Sequence, residues 1–131
     1  MEDISKNRIE TYSDTKNKLF YSIYKKIISN ARNKFFEIFK EFTHYSDDRS
    51  VIDIGTTPSL DEEQNIFLEK TQKNKNITCL SNQDCKILLK KYPNIKKIII
   101  GNGKKTFLSD NSFEIVHSNA TIEHVGSYEN Q

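Results

Sequence analysis

The run Val51-Ile-Asp-Ile-Gly55 limits the fold more than any other stretch of this chain. Apolar residues here occupy successive positions around one acid, and the segment closes on a glycine before turning through Thr56-Thr57-Pro58. A strand with one wet face would alternate apolar and polar residues, so this segment predicts a strand buried on both faces, as in a parallel sheet. Gly55 at its end permits a bend, and a close backbone approach, that a side chain would obstruct. Three more short apolar runs follow, at residues 77–80, 96–100 and 113–117. Helix-like or glycine-containing sequence separates them, so the predicted class is α/β, built from parallel βαβ units.

The remaining elements are predicted from periodicity and capping residues. Phe20, Tyr24, Ile27, Ala31, Phe35, Ile38 and Phe42 recur three or four residues apart, which predicts helix from Lys16 to Phe42. Ser13 suits its N-cap, and Ser29-Asn30 suits a division into two helices because both side chains compete for backbone hydrogen bonds. The aromatic stripe is expected to pack that helix on a sheet or on another helix. Ser59-Leu-Asp-Glu62 has the spacing of a capping box and predicts helix to about Gln72. Ser81 or Asn82 suits the cap of a helix through Ile87, Leu88 and Leu89 that stops before Pro93, and Asn119 suits the cap of a short helix after the fourth strand. The expected organisation is a flexible segment over 1–15, a helical segment over 16–49 and an α/β domain over 50–131.

Composition excludes several function classes. Twenty basic and eighteen acidic residues, well mixed along 131, give a net charge of +2. That balance does not favour nucleic acid, whose partners concentrate positive charge on one face. No run approaches the length of a membrane span, and Met1-Glu2-Asp3 lacks the basic-then-apolar pattern of a signal peptide. Cys79 and Cys85, six apart and without histidines at ligand spacing, are expected to be reduced thiols of a cytoplasmic protein. His117 and His124 lack a convincing third ligand, so no metal site is expected. Glu123 and His124 are adjacent and diverge on a helix, and Ser118 sits in no nucleophile elbow.

In an open parallel sheet, ligands bind beyond the carboxyl ends of the strands. Gly55, Gly101 and Ser118-Asn119 fall at such ends. Asp53 is suited either to fix the first loop or to meet a cationic ligand. Any chemistry here is expected to rest on holding a cofactor beside its reacting partner rather than on covalent catalysis.

With these residues in place, the chain resembles the class I S-adenosylmethionine-dependent methyltransferases, in particular the type 11 group. The resemblance covers about residues 50 to 131. It rests on Val51-Ile-Asp-Ile-Gly55, on the segment from Gly101 to Phe113, and on Glu114-Ile-Val-His-Ser-Asn-Ala-Thr-Ile-Glu-His-Val125, in order and at family-like spacing. It implies a Rossmann-like sheet in the order 3-2-1-4 with preceding helices, S-adenosyl-L-methionine as cofactor and a small-molecule methyl acceptor that the sequence does not identify. By position it implies that Asp53 and Gly55 hold the methionine part, that Asn102 meets the adenine edge, that Asn119 lies beside the sulfonium and the acceptor opening, and that Thr56 and Gly103 belong to the same cofactor site. The family's ribose-binding acid at the second strand end is replaced by Leu80-Ser81-Asn82, so Ser81 or Asp84 would serve. The first loop also departs from Gly-x-Gly, with Thr56-Thr57-Pro58 after Gly55.

The family sheet has seven strands, of which this chain supplies four. The expectation is therefore a truncated methyltransferase domain, impaired in catalysis, with an exposed fourth-strand edge that favours self-association or pairing with a missing C-terminal half. No catalytic base is assigned, and His117 and Glu123 are expected to be structural. The alternative is a non-catalytic remnant that binds a partner. A dinucleotide-dependent oxidoreductase is disfavoured by the absence of Gly-x-Gly-x-x-Gly.

Overall fold

The computed structural model describes residues 18–119, 121 and 126–130. The expectations for residues 1–15, Ser13, Glu123, His124 and the helix after Asn119 therefore lie wholly or largely outside the described residues. The chain forms two compact units that divide between Phe35 and Phe36.

Helix α1 spans Lys18–Thr43 without interruption. The predicted division at Ser29-Asn30 does not occur. Both side chains are solvent-exposed, where water satisfies them in place of the helix backbone. The predicted apolar stripe is also misplaced. Phe20, Tyr24, Ile27 and Phe35 are exposed in the first unit, as are Ile38 and Phe42 in the second. In the second unit, Phe36 and Phe39 pack against the core instead, each one position beyond a stripe residue. Their rings meet Phe67 edge-on at 6.3 and 5.7 Å, a larger apolar gain than the Phe35 and Ile38 face offers. α1 stops where His44 enters the left-handed region at φ 51°, while Tyr45 N–H donates to the Lys40 carbonyl at 2.9 Å and Thr43 Oγ1 donates to the Phe39 carbonyl.

Four strands follow: β1 Val51–Ile54, β2 Ile77–Ser81, β3 Ile95–Ile100 and β4 Ile115–Ser118. They form one sheet in the order β3-β2-β1-β4, and every pairing is parallel, as predicted. This is a Rossmann-like topology. The register of β1 sets Val51 between Ile77 and Ile115, and Asp53 between Cys79 and His117. Alternation along the strands puts those six residues on one face. That face forms the core with Phe67, Leu68, Cys85, Leu88 and Tyr92, while Ile52, Thr78 and Leu80 are buried on the other. Glu114 locks the start of β4 to β1: its Oε2 accepts from Ser50 N–H at 2.8 Å, and its own N–H donates to the Ser50 carbonyl.

The connections carry less helix than predicted. α2 is only Ile66–Lys70, and no capping box forms before it. Ser59 Oγ accepts from Asp61 N–H two residues on, making a local turn, and Glu62 reaches Lys91 at 3.3 Å instead of its own helix. Ser81 likewise accepts from Gln83 N–H at 3.1 Å and caps no helix. The segment after β2 is a 3₁₀ turn, Lys86–Lys90, in which Leu88 is buried while Ile87 and Leu89 are exposed. A single inward-facing residue needs no longer helix. No described helix is long and apolar enough to cross a membrane.

Candidate functional site

The carboxyl ends of β1 and β2 open into a cleft of about 380 Å³ lined by Gly55, Thr56, Thr57, Pro58, Ser59, Gln64, Ser81, Asn82 and Gln83. That volume lies within the range of small-molecule sites. The walls combine turning backbone and small hydroxyl side chains with the side-chain amides of Gln64, Asn82 and Gln83, so the polar groups offered to a ligand are neutral.

Two residues shape the β1 wall. Gly55 has φ +92°, and a Cβ there would overlap Thr121 Oγ1 and lie 2.7 Å from Thr121 Cγ2. Thr121 packs this closely because its hydroxyl donates to the Ile54 carbonyl at 3.1 Å, tying the segment after β4 to the end of β1. Gly55 is therefore required by backbone conformation and by a protein neighbour, before any ligand is considered. Asn65, 5% exposed, braces the loop from below: its amide donates to the Thr57 carbonyl at 3.1 Å and the Ser59 carbonyl at 2.7 Å, and its Oδ1 accepts from Thr57 N–H at 3.4 Å. Sequence reasoning missed Asn65. The signal was a side-chain amide directly before the apolar Ile66-Phe67-Leu68, where a helix start places a loop-satisfying group.

Asp53 lies beneath the cleft and is 7% exposed. Its Oδ2 accepts from Thr56 Oγ1 at 2.7 Å, and its Oδ1 lies 2.6 Å from His117 Nδ1. Of the two roles open to Asp53 in the sequence, the loop-fixing one is present in the structure. A carboxylate oxygen only accepts, so the contact is a hydrogen bond when the imidazole carries its hydrogen on Nδ1. The His117 ring stacks on Phe67 at 4.1 Å and 16°, and the Phe39 ring meets it edge-on at 5.2 Å. Cys79 stands beside Asp53 in the register, and burial, reinforced by the Asp53 charge, pushes its thiol up to about 12. Burial also raises the Cys85 thiol, whose Sγ lies 3.6 Å from the Thr56 carbonyl. Both cysteines are free.

The structure brings Gly55, Thr56 and Ser81 together around the cleft, with Asp53 below. Asn102, Gly103 and Asn119 stand on neighbouring loops outside its lining, all three exposed. Asn102 Oδ1 accepts from Lys104 N–H at 3.0 Å, and the Asn119 carbonyl lies 3.1 Å from Thr121 Oγ1, sharing its one hydroxyl hydrogen with the Ile54 carbonyl. Gly103 backs onto β1: a Cβ there would lie 3.3 Å from Ile54 Cγ2. At the β2 end, Ser81 is buried, and Asp84 caps Lys86 N–H at 2.9 Å. Among the described residues, no three His, Cys, Asp or Glu side chains converge on a point that could hold a metal ion.

Comparison of the chain with protein-family models, with curated proteins and with solved structures finds no match.

Proposed function

We propose that the cleft binds S-adenosyl-L-methionine and that the domain serves methyl transfer to an unidentified small-molecule acceptor. The observation that carries this reading is the parallel order β3-β2-β1-β4 with a ligand-sized cleft at the carboxyl ends of β1 and β2, beside Gly55. The residues present fit such a ligand in size and in their supply of small polar groups. Gly55 and Thr56 would hold the methionine part, Ser81 or Asp84 the ribose, Asn102 and Gly103 the adenine edge, and Asn119 the acceptor side. When bound, the cofactor supplies an electrophilic sulfonium methyl group. The chain's own contribution is binding and alignment, with Asp53 acting from beneath the loop through Thr56.

A second reading, a non-catalytic partner-binding module, is favoured by the contrast between the two sheet edges. Both edges expose an apolar residue, Ile100 on β3 at 57% and Val116 on β4 at 61%. But β3 also carries exposed Lys96 and Lys97, charges that discourage strand addition, whereas β4 carries no lysine or arginine. Amide chemical-shift mapping during titration with S-adenosylmethionine, joined to light scattering, separates the two. The cofactor reading expects saturable shifts centred on residues 55–59 and 81–84 and reaching residues 102, 103 and 119, with a Kd below about 1 mM. No shift at millimolar ligand would reject it, and concentration-dependent association in the same samples would support the second.

A further inference from the structure

We propose that His117 is a positioning residue that holds the β1-end loop in its ligand-ready form through Asp53. The chain of contacts is continuous. His117 Nδ1 lies 2.6 Å from Asp53 Oδ1, Asp53 Oδ2 accepts from Thr56 Oγ1 at 2.7 Å, and Thr56 lines the cleft. His117 also grips the far end of the same loop, because its ring stacks at 4.1 Å on Phe67, one residue into α2. One side chain on β4 is thereby coupled to both ends of the connection that forms the cleft wall.

Asp53 depends on this partner. A carboxylate that is 7% exposed has little water, and an unpaired buried charge is costly. The neighbour on its β2 side, Cys79, is a neutral thiol, while Phe39 and Phe67 wall His117 with apolar rings and bring no charge. Thr56 satisfies one carboxylate oxygen and His117 the other. Without the imidazole donor, Asp53 must either turn toward water or take its second hydrogen bond elsewhere. Either movement breaks the Oδ2 contact and leaves the Thr56 hydroxyl with only the longer contact to the Asp53 carbonyl, at 3.2 Å. Packing alone would require only a flat ring between Phe39 and Phe67, so donor and ring can be tested separately.

The ligand that this loop awaits rests on the cofactor reading above, but the positioning does not, and hydrogen exchange on the full chain reads it without ligand. Gly55 N–H donates to the Leu80 carbonyl at 2.9 Å and Thr57 N–H to Asn65 Oδ1, so both amides report on the loop. His117→Phe keeps a ring in the stack and removes the donor, whereas His117→Asn keeps a donor of similar reach. We expect exchange at Gly55 and Thr57 to quicken about tenfold in the Phe variant, with the β1–β2 ladder from Val51 to Ile54 unchanged, and to return to within about threefold of wild type in the Asn variant. Acceleration spread evenly over the sheet, or local acceleration in the Asn variant with wild-type exchange in the Phe variant, would overturn the proposal in favour of a packing role. Thr56→Val cuts the same chain at its other end without touching the stack, so it decides the matter if His117→Phe does not fold. Local acceleration at Gly55 and Thr57 supports the proposal, and wild-type exchange there overturns it. Titration of these proteins with S-adenosylmethionine then separates the two ideas. If the local exchange effect is present but wild type binds nothing, the cofactor reading fails and the positioning role stands.

Discussion

The loops that leave β1 and β3 emerge at the same end of one sheet but are built differently. Besides the short-range bond from Thr56 to Asp53, the β1-end loop is held by groups outside it: Thr121 on the Ile54 carbonyl, Leu80 on Gly55, Cys85 on the Thr56 carbonyl, and Asn65 on Thr57 and Ser59. After Gly101, whose N–H donates to the Ser81 carbonyl, the β3-end loop holds itself by short-range bonds. These run from Lys104 and Lys105 to Asn102 and from Ser112 to Ser109, and Phe107 stands 94% exposed. The difference follows strand position. β1 is central, so polar side chains at its end are buried and must find partners, whereas β3 is an edge and its loop can meet water. One cleft wall is thus preorganised, and the loop assigned to the adenine edge is not.

The largest expected effect comes from filling Gly55. Gly55→Val would force a β-branched residue into φ +92° and drive its side chain into Thr121. Strain of this kind, with the added overlap, should cost about 3 kcal/mol or more and appear as a large fall in thermal midpoint. S-adenosylmethionine binding should be lost beyond what partial unfolding explains. A midpoint close to that of wild type would mean that Thr121 yields easily, and the contrast between the loops would weaken.

The sheet order was legible because each strand is a short apolar run with a clear end, and alternating βα sequence leaves few topologies. Gly55 was legible for the same reason. The connecting helices were overestimated, because Ser59-Leu-Asp-Glu62 satisfies the capping spacing while Ser59 and Glu62 find other partners. The α1 face was misassigned because Phe35 and Ile38 sit beside Phe36 and Phe39, so the apolar pattern fits two faces and only tertiary packing chooses. Asp53 and His117 lie 64 residues apart, and their pairing depends on the β1–β4 register, which no local pattern states. Once the order 3-2-1-4 is accepted, aligning Val51 with Ile115 brings the two together.

An intermediate effect should follow from raising pH, because the buried floor below the β1-end loop carries a thiol. Cys79 is raised from 9.0 to about 12 by burial, and Tyr45 from 10.0 to about 12, again chiefly by burial. Between the ordinary values and about 12 the folded chain keeps protons that the unfolded chain has lost, so stability falls as pH rises. The slope should approach about 1 kcal/mol per pH unit for the buried Cys79 thiol and be shallower for the half-buried Tyr45, whose charge water screens. Thermal unfolding followed by circular dichroism from about pH 8 to 11 would show it. Cys79→Val, apolar and of similar size, should make the part that begins near 9 shallower, leaving the share of Cys85, which burial also raises, and the Tyr45 part beginning near 10. An unchanged slope in that variant would show that the floor is wetter than its burial implies.

The smallest stability effect is expected at Asn102, and it is the one that separates folding from function. Its side chain is exposed and accepts one local bond, from Lys104 N–H, which water can replace. Asn102→Ala should therefore move stability by no more than about 0.5 kcal/mol. If the β3-end loop meets the adenine edge, the same change removes a ligand contact and should weaken S-adenosylmethionine binding about three- to tenfold, the effect of losing one hydrogen bond. Paired thermal melts and calorimetric titrations measure both quantities on one sample. Unchanged affinity would take Asn102 out of the site and leave the preorganised wall of Gly55, Thr56 and Ser81 as the part that carries binding. A loss of stability above 1 kcal/mol would instead show that the β3-end loop is held by more than its own local turns, erasing the contrast with the loop after β1.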